Sequence, residues 1–396
     1  MEGRMRFLRI FSLLLGLGGP VFFGGFLWIG YKQETLKAIY PVEAYLIGQN
    51  VRCSENAPVW FSSLARDALS VLKALSTQLV LIDRYGKVSH CETGWVGKGF
   101  GLVAPETRFR YGSLTKPITS AQLLALVSNH QLSLNSSLRA MLLDDQSWGG
   151  IKRPSIADVT LQELLSHRSG LLSDGGLFSR KPGGAWCPND LNKLLKQKVH
   201  LLEKARYSNL GYCLAGAIIA ELSGSPYQRV VDKSFHLRER GMLFAKRGYY
   251  EDEVRYDYRF NDFYGGLGSV EYDYGAIAST AGLTGSALAY ARLVRDILDE
   301  EYVSLWLSGY DFDSCSVQEL RSCYGLAFYF YHPKKREGLH VKEGYLPGAA
   351  SFVVVNEDHE VMVWVGNSDT DNAYSGAGIK SVLNMLPAGS WADVGE

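Results

Sequence analysis

The sequence predicts an α+β fold, in which an antiparallel sheet built from both ends of the domain carries an inserted all-helical region, behind an N-terminal transmembrane helix. Three patterns predict it. Segments with strand character lie near both ends of the 396-residue chain, the stretch at about 135–310 is mostly helical, and residues 10–30 contain no charged side chain. Strands from both ends with helices between them fit most simply on one sheet with a helical insertion.

The N-terminal segment, residues 1–31, is predicted to be an uncleaved signal anchor. Three arginines precede the uncharged run at 10–30, and about 20 apolar residues in a helix just cross the hydrocarbon core of a membrane. A cleaved signal peptide is the alternative, but the apolar run continues well past the one candidate cleavage site, at 16–18. Because the arginines favour an N-terminus inside, we expect a single-pass protein of the inner (cytoplasmic) membrane with its main domain in the periplasm or extracytoplasmic space.

Charge and cysteine content narrow the class of partner. The chain has 41 basic and 41 acidic residues, which argues against nucleic acid as a partner. Six cysteines suit an exported domain in an oxidising compartment, and their spacing suggests the pairs Cys53–Cys91, Cys187–Cys213 and Cys315–Cys323. No Cys-x-x-Cys or His-x-x-x-His pair and no glycine-rich phosphate loop is present, so we expect no metal and no cofactor.

A linker is predicted at residues 32–56, followed by one folded domain at 57–390. Apolar residues spaced three and four apart predict the helices, and turn signals such as Tyr85-Gly86 separate the first strands. The helices are expected at 58–75, 118–127, 161–165, 209–222, 286–298 and about 374–386. The strands are expected at 78–84, 87–93, 324–331, 350–356 and 361–367.

Two short motifs carry the chemistry. Ser113 and Lys116 are three residues apart where a helix is expected to begin, so their side chains would share one face, near a helix N-terminus that favours negative charge. The tripeptide Tyr207-Ser208-Asn209 would add a phenol and an amide to the same cleft. Each motif alone is weak evidence, because Ser-x-x-Lys occurs by chance and Asn209 could simply cap a helix. Together they indicate an acyl-transferring serine hydrolase.

With these motifs in this order, the chain resembles the serine β-lactamase and penicillin-binding-protein superfamily, in particular its class C-like branch of DD-carboxypeptidases, esterases and related peptidases. Three further segments are similar to landmarks of that family: residues 164–171, residues 278–283, and Lys342-Glu343-Gly344 followed by Tyr345. The family has Lys/His-Thr/Ser-Gly on a strand at the last of these. The resemblance covers most of residues 58–390 and implies a β-lactamase/transpeptidase-like fold.

The resemblance also implies a role for each matching residue. Ser113 would be the nucleophile that forms an acyl-enzyme, and Lys116 or Tyr207 would take its proton; which of the two does so stays open. Lys116 can act as a base only if burial and its neighbours hold it partly neutral. Asn209 would hydrogen-bond Lys116 and the substrate amide, and the backbone N–H groups of Ser113 and Tyr345 would form the oxyanion hole. The nearby His167 is expected to be structural.

Lys342, Glu343 and Gly344 are expected to bind substrate with Tyr345, but Glu343 departs from the family pattern. In members that recognise β-lactams or D-Ala-D-Ala, the hydroxyl at this position helps to bind the substrate carboxylate. A glutamate would repel that carboxylate by roughly a few kcal/mol, unless Lys342 or an arginine compensates. We therefore expect poor β-lactamase activity. The alternative is that Glu343 faces solvent or pairs with Lys342.

The sequence thus predicts a membrane-anchored, extracytoplasmic serine hydrolase that cleaves an amide or ester, such as a peptide, a cell-wall fragment or a small ester. Two alternatives are a non-hydrolytic, penicillin-binding-like sensor or scaffold, and an acyltransferase that passes the acyl group to an amine. Carboxypeptidase, esterase and amidase share one core, so the fold does not distinguish them. The expected partners are a small-molecule or peptide substrate and the membrane, with no nucleic acid and the oligomeric state left open.

Overall fold

A computed structural model describes residues 32–97, 100–142, 156–172, 178, 185–200, 202–261, 272–334, 336–368 and 376–393. The predicted transmembrane helix at residues 1–31 lies outside these ranges. Within them, no helix combines the length and the apolar character needed to cross a membrane.

The helices pack on both faces of a central sheet. Those in the described ranges are α1 (Lys32–Gly48), α2 (Val59–Leu72), α3 (Thr115–Ser128), α4 (Leu138–Met141), α5 (Leu161–Leu165), α6 (Trp186–Asn189), α7 (Asn209–Ser223), α8 (Tyr227–Phe235), α9 (Ala278–Ala281), α10 (Ala287–Ile297), α11 (Val303–Trp306) and α12 (Ala377–Leu383). Helices α2 and α12 cover one face of the sheet, and α10 covers the other. Helices α3, α7, α8 and α9 pack together as the helical region.

The described strands come from both ends of the domain. They are β1 (Arg52–Cys53), β2 (Thr77–Ile82), β3 (Val88–Thr93), β4 (Trp95–Gly97), β5 (Phe100–Leu102), β6 (Phe109–Arg110), β7 (Leu243–Phe244), β8 (Leu283–Gly285), β9 (Cys323–Tyr324), β10 (Tyr329–Tyr331), β11 (Leu339–Leu346), β12 (Ala349–Val355) and β13 (Val361–Gly366). Eight of these described strands form one antiparallel sheet in the order β1-β3-β2-β13-β12-β11-β10-β9. N-terminal β2 pairs with C-terminal β13, which confirms the predicted sheet and its helical insertion.

The middle of this sheet is buried on both faces. Every residue of β12 and β13 is buried. Val353 and Val363 pack towards α10, whereas Phe352 and Trp364 stack at 5.8 Å on the side of α2 and α12. Each such side chain contributes about 1.5–3 kcal/mol by leaving water. The two strands therefore give β11, which carries the third motif, a rigid neighbour.

The segment 32–56, predicted as a linker, is instead folded against the domain. Helix α1 packs on α2, and the buried Tyr40 donates a hydrogen bond to the Leu69 carbonyl at 2.5 Å. Strand β1 then pairs with β3 opposite Cys91. The linker prediction was wrong: the helix forms although Pro41 lies inside it, because its tertiary contacts override the local preference against proline in a helix interior.

All three predicted disulfides are present. Their Cα–Cα distances are 4.0 Å for Cys53–Cys91, 6.2 Å for Cys187–Cys213 and 5.2 Å for Cys315–Cys323. The second joins α6 to α7, the helix that begins at Asn209. The third closes a short loop that leads into β9. Two of the three bridges therefore brace segments that border the site described next.

Candidate active site

Ser113 lies at the start of helix α3, as the motif predicts. Strand β6 runs into one 3-10 turn, Gly112–Leu114, and α3 begins at Thr115. Gly112 has a φ of 55°, and a Cβ there would lie 2.7 Å from the Tyr345 nitrogen. Only glycine allows the turn to approach β11 so closely. Ser113 is thereby held beside the N-terminal N–H groups of the helix, which favour negative charge.

Lys116 lies one turn further on and is completely buried. Its Nζ is 3.0 Å from the Ser113 hydroxyl, 2.8 Å from Asn209 Oδ1 and 2.9 Å from the Thr280 carbonyl. Burial, helped by the positive charge of Lys342, lowers the pKa of Lys116 well below its usual range. A neutral amine has two N–H donors and one lone pair. Because two fixed carbonyl acceptors take the hydrogens, the lone pair faces the serine hydroxyl, as a base requires.

Tyr207 is the second group within hydrogen-bond distance of Ser113, with its Oη 2.6 Å from Oγ. Burial raises the pKa of Tyr207, so the phenol is neutral and can relay a proton. Ser208 fixes this tyrosine: its hydroxyl accepts a hydrogen bond from the Gly211 nitrogen at 3.1 Å and thereby caps α7. Its N–H donates to His167 Nδ1 at 3.1 Å.

His167 supports the site from behind. Its ring centroid lies 4.5 Å from that of Tyr207 and 4.9 Å from that of Tyr324. Burial, followed by the charges of the two nearby lysines, lowers the pKa of His167 well below its usual range. The neutral ring uses Nδ1 to accept the Ser208 N–H, which is the structural role that the sequence predicts.

The third motif lies where one edge of β11 faces the Ser113 turn. Strand β10 pairs with β11 at residues 339–341. Beyond residue 341, the same edge of β11 approaches the turn that holds Ser113. A Cβ at Gly344 would lie 2.0 Å from the Tyr111 carbonyl and 2.9 Å from the Ser113 nitrogen. Glycine is therefore required here by close approach of two backbones, not by an unusual φ.

The backbone of Tyr345 is oriented by the hairpin between β11 and β12. A two-residue turn at 347–348 makes Leu346 and Ala349 the first pair, and Tyr345 belongs to the second. In such a hairpin the first pair exchanges its hydrogen bonds, and the second directs its N–H and C=O groups away from the partner strand. The N–H of Tyr345 therefore points away from β12, towards the turn that holds Ser113.

Lys342 reaches the same cleft from β11. It is buried, and its Nζ lies 4.9 Å from the ring centroid of Tyr207 and 5.8 Å from that of Tyr324. The pKa of Lys342 is lowered to about 7, mainly by burial; the attraction of Glu343 opposes this decrease and the charge of Arg321 adds to it. Near neutral pH this lysine therefore carries its proton only part of the time.

Glu343 does not face solvent and does not pair with Lys342. Its side chain is 4% exposed and binds the guanidinium of Arg321, with both Nε and Nη2 at 2.5 Å from Oε2. Successive side chains of a strand point to opposite faces, which separates Glu343 from Lys342 and Gly344. The sequence left open whether the charge of Glu343 is compensated by solvent, by Lys342 or by an arginine, and in the structure it is compensated by Arg321.

Arg321 is the site residue that the sequence analysis missed. It lies within the loop closed by Cys315–Cys323 and has a φ of 61°, a conformation that costs a non-glycine residue energy and needs support from its surroundings. Its guanidinium carbon is 5.7 Å from the ring centroid of Tyr345. A glutamate inside a cationic motif signals the need for a cation, but sequence does not tell which arginine supplies it.

The described ranges contain no group of three or more His, Cys, Asp or Glu side chains that could hold a metal ion. The site brings together one serine, two buried lysines, a neutral tyrosine and an amide, beside the backbone N–H groups of Ser113 and Tyr345. That set can support acyl transfer without further groups from the protein.

Comparison with known proteins identifies the family. A family model described as Beta-lactamase matches residues 83–382. The chain belongs to this family. The matched range contains Ser113, Lys116, Tyr207 and the whole of β11, and it confirms the resemblance to the serine β-lactamase and penicillin-binding-protein superfamily.

Relatives of this beta-lactamase family protein have different names. The probable fimbrial assembly protein FimD, serogroup H1, of Dichelobacter nodosus is 31% identical over 340 residues, which are 84% of each chain. A beta-lactamase/D-alanine carboxypeptidase from Yersinia pestis is 19% identical, with a TM-score of 0.65 over 83% of this chain and 99% of that one. The D-amino acid amidase from Ochrobactrum anthropi SV3 is 20% identical, with a TM-score of 0.63 over 82% and 99%. The two structures share the fold.

Proposed function

We propose that this beta-lactamase family protein is a serine hydrolase that cleaves an amide or ester of a small or peptide-like molecule through an acyl-enzyme at Ser113. The observation that carries the proposal is the pair of contacts at Ser113 Oγ, with Lys116 Nζ at 3.0 Å and Tyr207 Oη at 2.6 Å. A serine hydroxyl becomes an effective nucleophile when a positioned base takes its proton, and both groups are within reach.

In the acylation step, Ser113 Oγ attacks the substrate carbonyl carbon and its proton passes to neutral Lys116. The carbonyl electron pair moves to oxygen, which accepts hydrogen bonds from the N–H groups of Ser113 and Tyr345. Collapse of this intermediate breaks the bond to the leaving amine or alcohol. Tyr207, whose Oη is 2.6 Å from Ser113 Oγ, passes the proton to the leaving group.

In the deacylation step, a water molecule takes the place of the leaving group. Lys116 or Tyr207 accepts its proton while the water oxygen attacks the acyl carbon, and the Ser113 oxygen leaves with a proton returned by the same pair. The released product is a carboxylic acid. An amine in place of water would give acyl transfer, and nothing in the described cleft favours an amine over water.

The substrate class is inferred from Lys342 and from relatives. The charge of Arg321 is offset by Glu343, which leaves Lys342 as the cationic group of β11 in the cleft, and a lysine suits a carbonyl-rich peptide-like molecule better than a cation. The names of two structural neighbours, a D-amino acid amidase and a D-alanine carboxypeptidase, point to small amides with a D-residue. We propose these as the first substrates to try.

The location proposed is the outer side of the inner membrane, with residues 1–31 as a single-pass anchor. The uncharged run at 10–30 supports an anchor. Three disulfides support an oxidising compartment, since such bridges are rare in reducing ones.

The test uses full-length protein in detergent, treated with a fluorophosphonate probe, fluorescent penicillin, D-amino acid anilides and p-nitrophenyl esters. Ser113→Ala should abolish fluorophosphonate labelling and hydrolysis. Tyr207→Phe should lower hydrolysis by about 10²–10⁴-fold because it removes one proton relay. Ser70→Ala is the matched control, because this serine is exposed on α2 and bonds only within its own helix turn.

Labelling and turnover that both depend on Ser113 would support the hydrolase. Stable acylation without turnover of any compound would favour the sensor or scaffold instead. Label that persists in Ser113→Ala would remove the assignment of the nucleophile.

A further inference from the structure

Helix α1 has an apolar face that no described residue covers. Its exposed side chains are Ile39 (41%), Val42 (62%), Tyr45 (68%) and Leu46 (59%). Their spacing of three and four places them along one side of the helix, opposite the side that packs on the domain. Single exposed apolar residues are common, but a row of four on one helix indicates an interaction surface. We call these four residues the α1 face.

Glu43 and Lys37 of this helix are not part of the α1 face. Glu43 forms an ion pair with Arg259 of the domain. Lys37 lies 3.9 Å from Glu34 near the start of the helix. The α1 face itself carries no charged side chain, so it offers a partner only apolar contact and the tyrosine hydroxyl.

A groove lies beside the α1 face, between α1 and α2. Its volume is about 440 Å³, and Tyr45 of the α1 face lines it. Leu69 and Phe260 contribute apolar lining, and the charged side chains among the described lining residues are Lys37, Arg66 and Lys73 against Asp67. An apolar groove with a basic rim matches a phospholipid, whose phosphate favours cations and whose acyl chain favours apolar surface.

The position of α1 along the chain favours the same occupant. Residue 31 alone separates the uncharged run at 10–30 from the first residue of α1. One residue spans at most about 3.5 Å, so a membrane anchor at 10–30 would place the start of α1 at the bilayer surface. With 17 residues, α1 is about 25 Å long, which is long enough to hold the domain against that surface.

We propose that the α1 face and the adjoining groove dock the domain on the lipid surface of the membrane in which the chain is anchored. A second copy of the chain is a weaker fit. Four partly exposed side chains offer on the order of 500 Å² per copy, below the roughly 800 Å² per partner typical of stable protein interfaces. The proposal rests on the membrane anchor in the proposed function, but not on the hydrolase activity.

The test is photo-crosslinking of the full chain in vesicles of phosphatidylcholine and phosphatidylglycerol. Tyr45→p-benzoylphenylalanine places the probe on the α1 face. Phe312→p-benzoylphenylalanine is the matched control, because Phe312 is 52% exposed and packs beside β10, far along the sheet from β1, the strand that follows α1. Both positions are exposed, so neither change is expected to disturb folding.

After irradiation, mass spectrometry should find lipid adducts at residue 45 at least about tenfold above those at residue 312. Equal yields, or a crosslinked dimer as the main product at residue 45, would overturn the proposal. Flotation of the vesicles after an alkaline wash is measured first. A chain that fails to float has no anchor and the proposal falls with it, whereas a chain that floats with equal yields rejects only the docking surface.

Discussion

Replacing both Glu343 and Arg321 should destabilise the protein by clearly less than the sum of the two single replacements. The informative set is Glu343→Gln, Arg321→Met and the double variant. Either single change leaves one charge without its partner beside a strand that is otherwise buried. The double change removes both charges and leaves two side chains of similar size.

The magnitude follows from the burial of the pair. Nitrogen and oxygen are 2.5 Å apart, and the side chains are 25% exposed for Arg321 and 4% for Glu343. Removal of one partner from a fully buried pair costs about 3–5 kcal/mol, and the partial exposure of the arginine reduces this through solvent screening. We expect each single variant to lose about 2–3 kcal/mol of unfolding free energy, with a coupling energy near 2 kcal/mol.

Urea unfolding followed by tryptophan fluorescence measures all four proteins. A coupling energy below about 0.5 kcal/mol would refute the reasoning, because residues that do not interact have additive effects. The same set tests recognition of penicillin. Glu343→Thr leaves Arg321 unpaired near the cleft and should raise the rate of penicillin acylation, whereas Glu343→Thr combined with Arg321→Met should remove that gain.

Two further predictions concern the turn and the buried lysine. Gly112→Ala should lower fluorophosphonate labelling by about 10²-fold or more, because its Cβ would lie 2.7 Å from the Tyr345 nitrogen. The control Gly86→Ala, which has open space around it, should label normally. Normal labelling of both variants would contradict the requirement for glycine at position 112. Lys342 has a pKa lowered from 10.5 to about 7, so between these values the unfolded chain binds a proton that the folded chain does not, and stability should rise with pH. In urea titrations between pH 7 and 9.5, the free energy of unfolding of Lys342→Met should rise by about 3 kcal/mol less than that of the unmodified protein. The same rise in both proteins would show that Lys342 is not buried as a neutral amine.

The parts of the site that sequence predicted are those fixed by local geometry. A spacing of three positions from Ser113 to Lys116 places both side chains on one helix face wherever the helix lies. The tripeptide ending at Asn209 was recognised by its residue types, although the residue that caps the helix that follows is Ser208 and not Asn209. The sheet was predicted because strand patterns at both chain ends leave few other arrangements.

The parts that were missed depend on contacts between distant segments. Arg321 meets Glu343 only because the loop closed by Cys315–Cys323 holds it beside β11. The Thr280 carbonyl, which takes one hydrogen of Lys116, is a backbone atom and has no sequence signature. The segment that forms helix α1 was predicted as a linker, and the helix is stabilised by its packing on α2, a contact between separate segments.

Glu343 also influences the base on the far side of the cleft. Its attraction favours the proton on Lys342, and the charge of Lys342 in turn lowers the pKa of Lys116, which keeps Lys116 neutral and able to accept a proton. Without Glu343, Lys342 would lose its proton more readily and Lys116 would hold its own more tightly. Glu343→Thr should therefore aid binding of the penicillin carboxylate but weaken the base near neutral pH. The gain in acylation should increase with pH, since Lys116 then loses its proton without help from Lys342.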